Sequence, residues 1–241
     1  MRRRSKPLLP ATLEGFMRSL EIIWTLLLKD LRVEWRQRET LASVCVFGLL
    51  VVFLCDFAFA PAGEESLRLL PGVLWIAFIF AGILGFSRSF AAERENACLE
   101  GLRLTPAEPG LIYLAKMAAN FIFLAVAEVV IVFAAALWYN FSFLPALKWF
   151  VVIVLFGTLG YVAVGVTFGA VAANTRMREV MLPVLQFPVA IPVFIGSIEA
   201  TSSVLKGDAP AEYLSWTKLL IAFAVIFTVL SFMLFEFVLE E

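Results

Sequence analysis

Trp149-Phe-Val-Val-Ile-Val-Leu-Phe-Gly-Thr-Leu-Gly-Tyr-Val-Ala-Val-Gly-Val-Thr-Phe-Gly-Ala-Val-Ala-Ala173 runs for 25 residues without one charged side chain. A helix needs about 20 consecutive apolar residues to cross the hydrocarbon of a bilayer. This stretch, extended back to residue 147, is therefore a membrane span. Its glycines at 157, 160, 165 and 169 mark where another helix can approach closely, and Gly165 and Gly169 have the small-x-x-x-small spacing. Packing inside one chain explains that spacing more simply than a subunit interface does.

Working outward, five more segments meet or approach the same standard, and the predicted spans are 41–60, 70–90, 111–139, 147–173, 181–197 and 216–239. The 241 residues are 62% hydrophobic and 16% charged, with a mean hydropathy of +0.94. Soluble domains hold roughly half apolar and a quarter charged residues. The expected fold class is thus an all-α membrane protein with six transmembrane helices, a single membrane domain over 20–241 and an N-terminal extension over 1–19.

Residues 20–38 are too charged to span. At about 100° per residue, Leu20, Trp24, Leu27, Leu28, Leu31 and Trp35 share one side, and Arg18, Glu21, Thr25, Lys29, Arg32 and Arg36 the other. This pattern predicts an amphipathic helix lying in the membrane interface, its cations toward anionic headgroups; the alternative is a soluble amphipathic helix docked on a partner. Glu14, Arg18 and Glu21 interrupt the apolar run that a cleaved signal peptide would need after Met1-Arg-Arg-Arg-Ser-Lys6.

Orientation follows from Lys and Arg in the short connections. Of the 19 such residues, fifteen fall on one side; Arg68, Lys148, Lys206 and Lys218 fall on the other. Both termini are expected in the cytoplasm, in a cytoplasmic (inner) membrane.

The fifth span carries Pro183, Pro188 and Pro192. Each removes a backbone donor, so a kinked or partly unwound helix is expected, followed by an outer loop over 198–215. Two of the acids within the spans are of interest. Glu128 lies among Ala and Val, and an ionisable residue at that depth is a functional candidate by default; the plainer reading is a protonated side chain tying two helices together. Asp56 lies near the outer end of the first span, within reach of interfacial water.

Composition also excludes chemistry. No histidine is present, which removes the commonest metal ligand and general base and rules out Ser-His-Asp and Cys-His arrangements. No Gly-x-x-x-x-Gly-Lys-[Ser/Thr] loop occurs. No catalytic, cofactor or metal site is expected in this chain, nor any nucleic-acid partner. Cys45 and Cys55 would stand about 15 Å apart along one helix, too far to pair, and Cys98 falls in a connection.

The connection between the second and third spans, from Phe86 to Pro106, has mixed charge and helix-forming composition. By composition alone it is a charged connecting helix. In its frame, however, an in-plane first helix, six spans and this short charged helix resemble the ABC-2 type of ABC-transporter permease. That resemblance implies that Glu93, Glu95, Leu99 and Leu102 form the contact with an ATPase subunit. A closer resemblance is carried by Ala172-Ala-Asn-Thr-Arg-Met-Arg-Glu through the three prolines to Thr201, by Leu27-Leu-Lys-Asp-Leu-Arg32, by Arg36-Gln-Arg-Glu-Thr-Leu41 and by Leu234-Phe-Glu-Phe-Val-Leu-Glu-Glu241. These stretches are similar to the CcmB family, the haem-exporter permease subunit of cytochrome c biogenesis, over about residue 20 to the end.

The resemblance implies a complex with a CcmA-type ATPase, CcmC- and CcmD-type membrane subunits and, indirectly, a CcmE-type haem chaperone, in which ATP hydrolysis drives haem export or release of the loaded chaperone. Haem would be cargo of the complex and not a bound cofactor, since an axial ligand here could only be Met, Tyr or Cys. Membrane lipid is a further partner, and a homodimer is compatible with the small-residue spacing. Two alternatives stay open: an ABC-2 permease for a lipid, polysaccharide or drug, and a non-transporting membrane scaffold that docks an ATPase.

The topology is testable. Single cysteines at positions 63 and 208 should react with an impermeant thiol reagent in intact cells, and a cysteine at the C-terminus should not; external reactivity of the C-terminus would reverse the orientation.

Overall fold

The computed structural model describes residues 11–36, 38–59, 64–95, 108–173, 175 and 177–240. Helix α1 covers Ala11–Arg36, α2 Arg38–Phe59, α3 Glu64–Glu95, α4 Pro109–Trp138, α5 Leu147–Ala173, α6 Arg178–Lys206 and α7 Pro210–Glu240, with a short 3-10 turn at Leu144–Ala146. Six of these helices, α2 to α7, are long and apolar enough to cross a membrane. The protein is a multi-pass membrane protein, preceded by the expected N-terminal helix.

Successive spans pack against one another. α5 packs against α6, α7, α4 and α3, and α2 leans on α3 and α4. α3 and α5 are the most enclosed spans, while α2 and α7 are the most open to the surroundings. Central position requires small side chains. A Cβ at Gly165 would run into the Phe86 ring of α3, and one at Gly157 would meet the Trp75 ring and, at 2.6 Å, Ser197 Oγ of α6. The small residues of α5 thus serve packing within the chain. Close approach of this kind gives dispersion contact where burial from water supplies no drive.

Two expectations need correction. The helix α6 is not unwound: it runs unbroken through Pro183, Pro188 and Pro192. The predicted outer loop over 198–215 is also mostly helical, because α6 continues to Lys206 and α7 starts at Pro210. The polar residues that suggested a loop face inward. Ser197, Thr201 and Ser203 are buried, and Thr201 Oγ1 accepts the Trp75 indole N–H at 3.0 Å. The true stop is Gly207, whose left-handed φ of 75° suits a residue without a Cβ. Its N–H and that of Asp208 cap the Ser203 carbonyl, the latter at 3.0 Å.

The helix α1 divides its apolar face. Leu27 is buried against the bundle, whereas Met17, Leu20 and Trp24 are exposed. α1 packs chiefly on α4, so its C-terminal half is docked on protein and its N-terminal half presents an open apolar row.

Gly165→Ala and Gly157→Ala should each cost about 1–3 kcal/mol by forcing α5 away from α3. Gly72, which has open space around its would-be Cβ, should tolerate alanine. Thermal unfolding of the three variants in detergent distinguishes them.

Candidate functional site at the membrane face

The α3–α4 connection is the candidate coupling element, and α1 lies across its base. Asp30 and Glu34 stand one helical turn apart, so they occupy the same face of α1. That face meets the end of α3 and the start of α4. Lys116, two turns into α4, is only 4% exposed. A lysine so enclosed requires an anionic partner, and Asp30 Oδ2 lies 3.7 Å from its Nζ. Asp30 Oδ1 is also 3.0 Å from Lys29 Nζ on α1 itself. One turn further on, the Glu34 carboxyl lies near Ser89 of α3 and near Lys116, and both favour its charged form. Beside Ser89, Arg88 Nη1 donates to Ser43 Oγ of α2 at 3.3 Å.

Glu34 is held in an uneasy setting. Burial, and then the neighbouring Asp30, push its carboxyl up to about 7, and the nearby Ser89 and Lys116 only partly oppose this. Its Oε2 is buried without a hydrogen-bond partner among the described residues. The corner therefore ties α1 to α4 through the Lys116–Asp30 ion pair, with Ser89 of α3 beside Glu34, and Arg88 joins the same end of α3 to α2.

The sequence-derived site residues fall as follows. Glu93 and Glu95 lie in the last turn of α3; Leu99 and Leu102 lie outside the described residues. Glu128 of α4 is buried, and its Oε1 accepts the Thr158 hydroxyl of α5 at 2.7 Å. Asp56, at the opposite end of the bundle from α1, accepts the Trp138 indole N–H at 2.7 Å, tying α2 to α4. Pro183, Pro188 and Pro192 share α6. Cys45 and Cys55 are both free and half-buried on α2. Among the described residues no three His, Cys, Asp or Glu side chains gather where they could hold a metal ion.

Reading the sequence missed the clamp. Lys116 was visible as the lone cation in the apolar run 111–139, a position that asks for a carboxylate. Asp30 and Glu34 could have been picked out as acids on the same side of α1, but nothing in one dimension joins them to Lys116.

Comparison with known proteins agrees with this architecture. The family model described as CcmB protein matches residues 21–239. The chain belongs to the CcmB family. Curated relatives named heme exporter protein B cover most of it. That of Pseudomonas aeruginosa is 28% identical over 205 residues, 84% of this chain and 91% of the relative. The Rhodobacter capsulatus protein is 30% identical over 186 residues, 76% of this chain and 84% of its own length. The Paracoccus denitrificans protein is 28% identical over 189 residues, 78% and 84% respectively. The matched region begins within α1 and ends in α7, so most of the N-terminal helix lies inside it.

The Glu34 setting makes a signed prediction. The folded chain keeps this proton up to about 7 against an ordinary 4.5. Between those values the folded form binds more protons than the unfolded one, so this group's contribution lowers stability as pH rises through that window. Above pH 7 its contribution should level off. Glu34→Gln should remove this component and raise the unfolding midpoint at pH 8 above wild type; an unchanged slope between pH 5 and 7 would contradict it.

Proposed function

We propose that this chain is the permease subunit of an ABC complex in cytochrome c maturation and that it converts ATP hydrolysis in a partner chain into movement of its membrane helices. The cargo handled by the complex is haem, exported or released on a loaded chaperone. The observation that carries the mechanical reading is the clamp, since α1 is ion-paired to α4 at one flank of the α3–α4 connection and lies beside Ser89 of α3 at the other. Family membership and the name heme exporter protein B, borne by the relatives, support the cargo.

In this reading a CcmA-type ATPase docks on the α3–α4 connection from the cytoplasm. Both termini lie on that side of the inner membrane, as the distribution of Lys and Arg argues. The chain itself supplies no nucleotide chemistry: it lacks the phosphate-cradling loop, and the ATPase site is the partner's. CcmC- and CcmD-type membrane subunits complete the complex, and a CcmE-type chaperone takes up haem outside.

The coupling surface is Glu93, Glu95, Leu99 and Leu102. A force-transmitting contact combines apolar anchors with charges that set register. Loss of the anchors should weaken association, and charge reversal should uncouple hydrolysis from work. The clamp then passes the displacement on. Lys116 and Asp30 lie inward of the connection, so a change there should leave docking intact while reducing transmission.

The experiment is affinity capture of the ATPase with tagged chain in membranes, together with cytochrome c output. The quadruple variant Glu93→Lys, Glu95→Lys, Leu99→Ala, Leu102→Ala should insert normally but lose ATPase and cytochrome c. Lys116→Met should retain the ATPase yet lower output, at a stability cost of about 3 kcal/mol from the stranded carboxylate. A quadruple variant that inserts, holds the ATPase and still supports haem delivery would refute the coupling assignment.

A further inference from the structure

The helix α6 turns one face inward along its length. On that face Gln186, Ala190, Val193, Ser197 and Thr201 are all buried. Thr201 is bonded to Trp75. Gln186, 1% exposed, is different: its Nε2 and Oε1 are both buried without a hydrogen-bond partner among the described residues. A primary amide offers two donors and two acceptor positions. Stripped of water and left unpaired, such a group costs several kcal/mol, and hydrocarbon returns none of it.

The surroundings of Gln186 are polar on several sides. Across from it on α5 is Tyr161, itself 2% exposed, whose hydroxyl donates to the Ile79 carbonyl of α3 at 2.7 Å. The amide lies near that hydroxyl without reaching hydrogen-bond geometry. Glu128 of α4 spends one oxygen on Thr158, which stands one turn from Tyr161 on α5. Four helices thus bring donors and acceptors to one place in the interior, and direct pairs use up only part of them. Groups close together but too far apart to bond directly are bridged by water, which takes two to four polar partners.

We propose that Gln186, Tyr161 and Glu128 form an internal water-binding site between α4, α5 and α6. The ligand is water and the amide of Gln186 is its principal holder. Water at this crossing also sets where α6 can turn: a helix whose contacts run through exchangeable water can change partners without ever exposing a bare amide to hydrocarbon. The site depends on neither haem nor the ATPase, so it can be tested on the chain alone.

The test uses the full chain in lipid nanodiscs. Radiolytic hydroxyl-radical footprinting generates radicals from bound water and labels the side chains beside it. Tyr161 should be labelled several-fold faster than Tyr113, which is equally enclosed and likewise bonded to a backbone carbonyl but has no unpartnered amide beside it. Gln186→Leu should bring the Tyr161 rate down to that of Tyr113. The same variant should lower the thermal midpoint, because water and its remaining partners lose a bonding group. A dry, orphaned amide predicts the opposite sign, since leucine would then relieve a buried polar atom. Equal labelling of the two tyrosines in wild type, or an unchanged or raised midpoint in Gln186→Leu, overturns the proposal; the wild-type comparison decides even if the variant fails to fold.

Discussion

Inside a bilayer a polar group has no solvent to return to, so each one must find its partner in the protein. In this chain α5 carries most of that load. Thr158 bonds Glu128 of α4, Tyr161 bonds the Ile79 carbonyl of α3, and Thr167 bonds Ser231 of α7 at 2.6 Å. The Ala163 carbonyl also accepts from Tyr113 of α4 at 3.3 Å. These bonds reach three different helices, and they are possible because glycines let the same helix come close to α3 and α6. Close packing and polar satisfaction are therefore one constraint. Widening α5 by a methyl group would move the hydroxyls out of bonding range as well.

The clamp at the membrane face follows another logic. An enclosed ion pair contributes little net stability, because desolvation offsets the attraction, but breaking it is costly. Lys116 with Asp30 thus fixes where α1 sits more than it stabilises the fold. Glu34 sharpens this by adding a second acid that burial and Asp30 keep from ionising easily. A helix held by directional, breakable contacts across the flanks of one connection suits a part that must move as a unit. The exposed apolar row of Met17, Leu20 and Trp24 leaves the other half of α1 uncovered, so one helix has a docked half and an open one.

The prolines of α6 illustrate how context overrides a local rule. Alone, three of them in one turn-rich segment argue for a broken helix. Here the helix is enclosed by α5, α3 and α7, and tertiary packing holds the backbone helical while the missing donors leave acceptors behind. The polar face of α6, which reads as a loop in sequence, is turned toward Trp75 and Tyr161. Its residues are hydrophilic because they are interior, the reverse of the soluble-protein rule.

By itself the sequence determined the number and kind of elements. Long uncharged runs such as 149–173 leave no alternative to spanning helices, and the mixed periodicity around Leu27 leaves none to an amphipathic one. The lack of histidine and of a phosphate-binding loop bounded the chemistry. The chain resembled its family in the proline segment, and the match over residues 21–239 established it. Only the tertiary structure decided partnership. Transfer free energy sums along a chain and is blind to rotation about a helix axis, so sequence could place Lys116, Glu128 and Gln186 at membrane depth without saying what each faces. That Lys116 meets Asp30, that Glu128 meets Thr158 and that Gln186 meets no direct partner among the described residues depends on how the helices are turned against one another, and packing alone sets those angles.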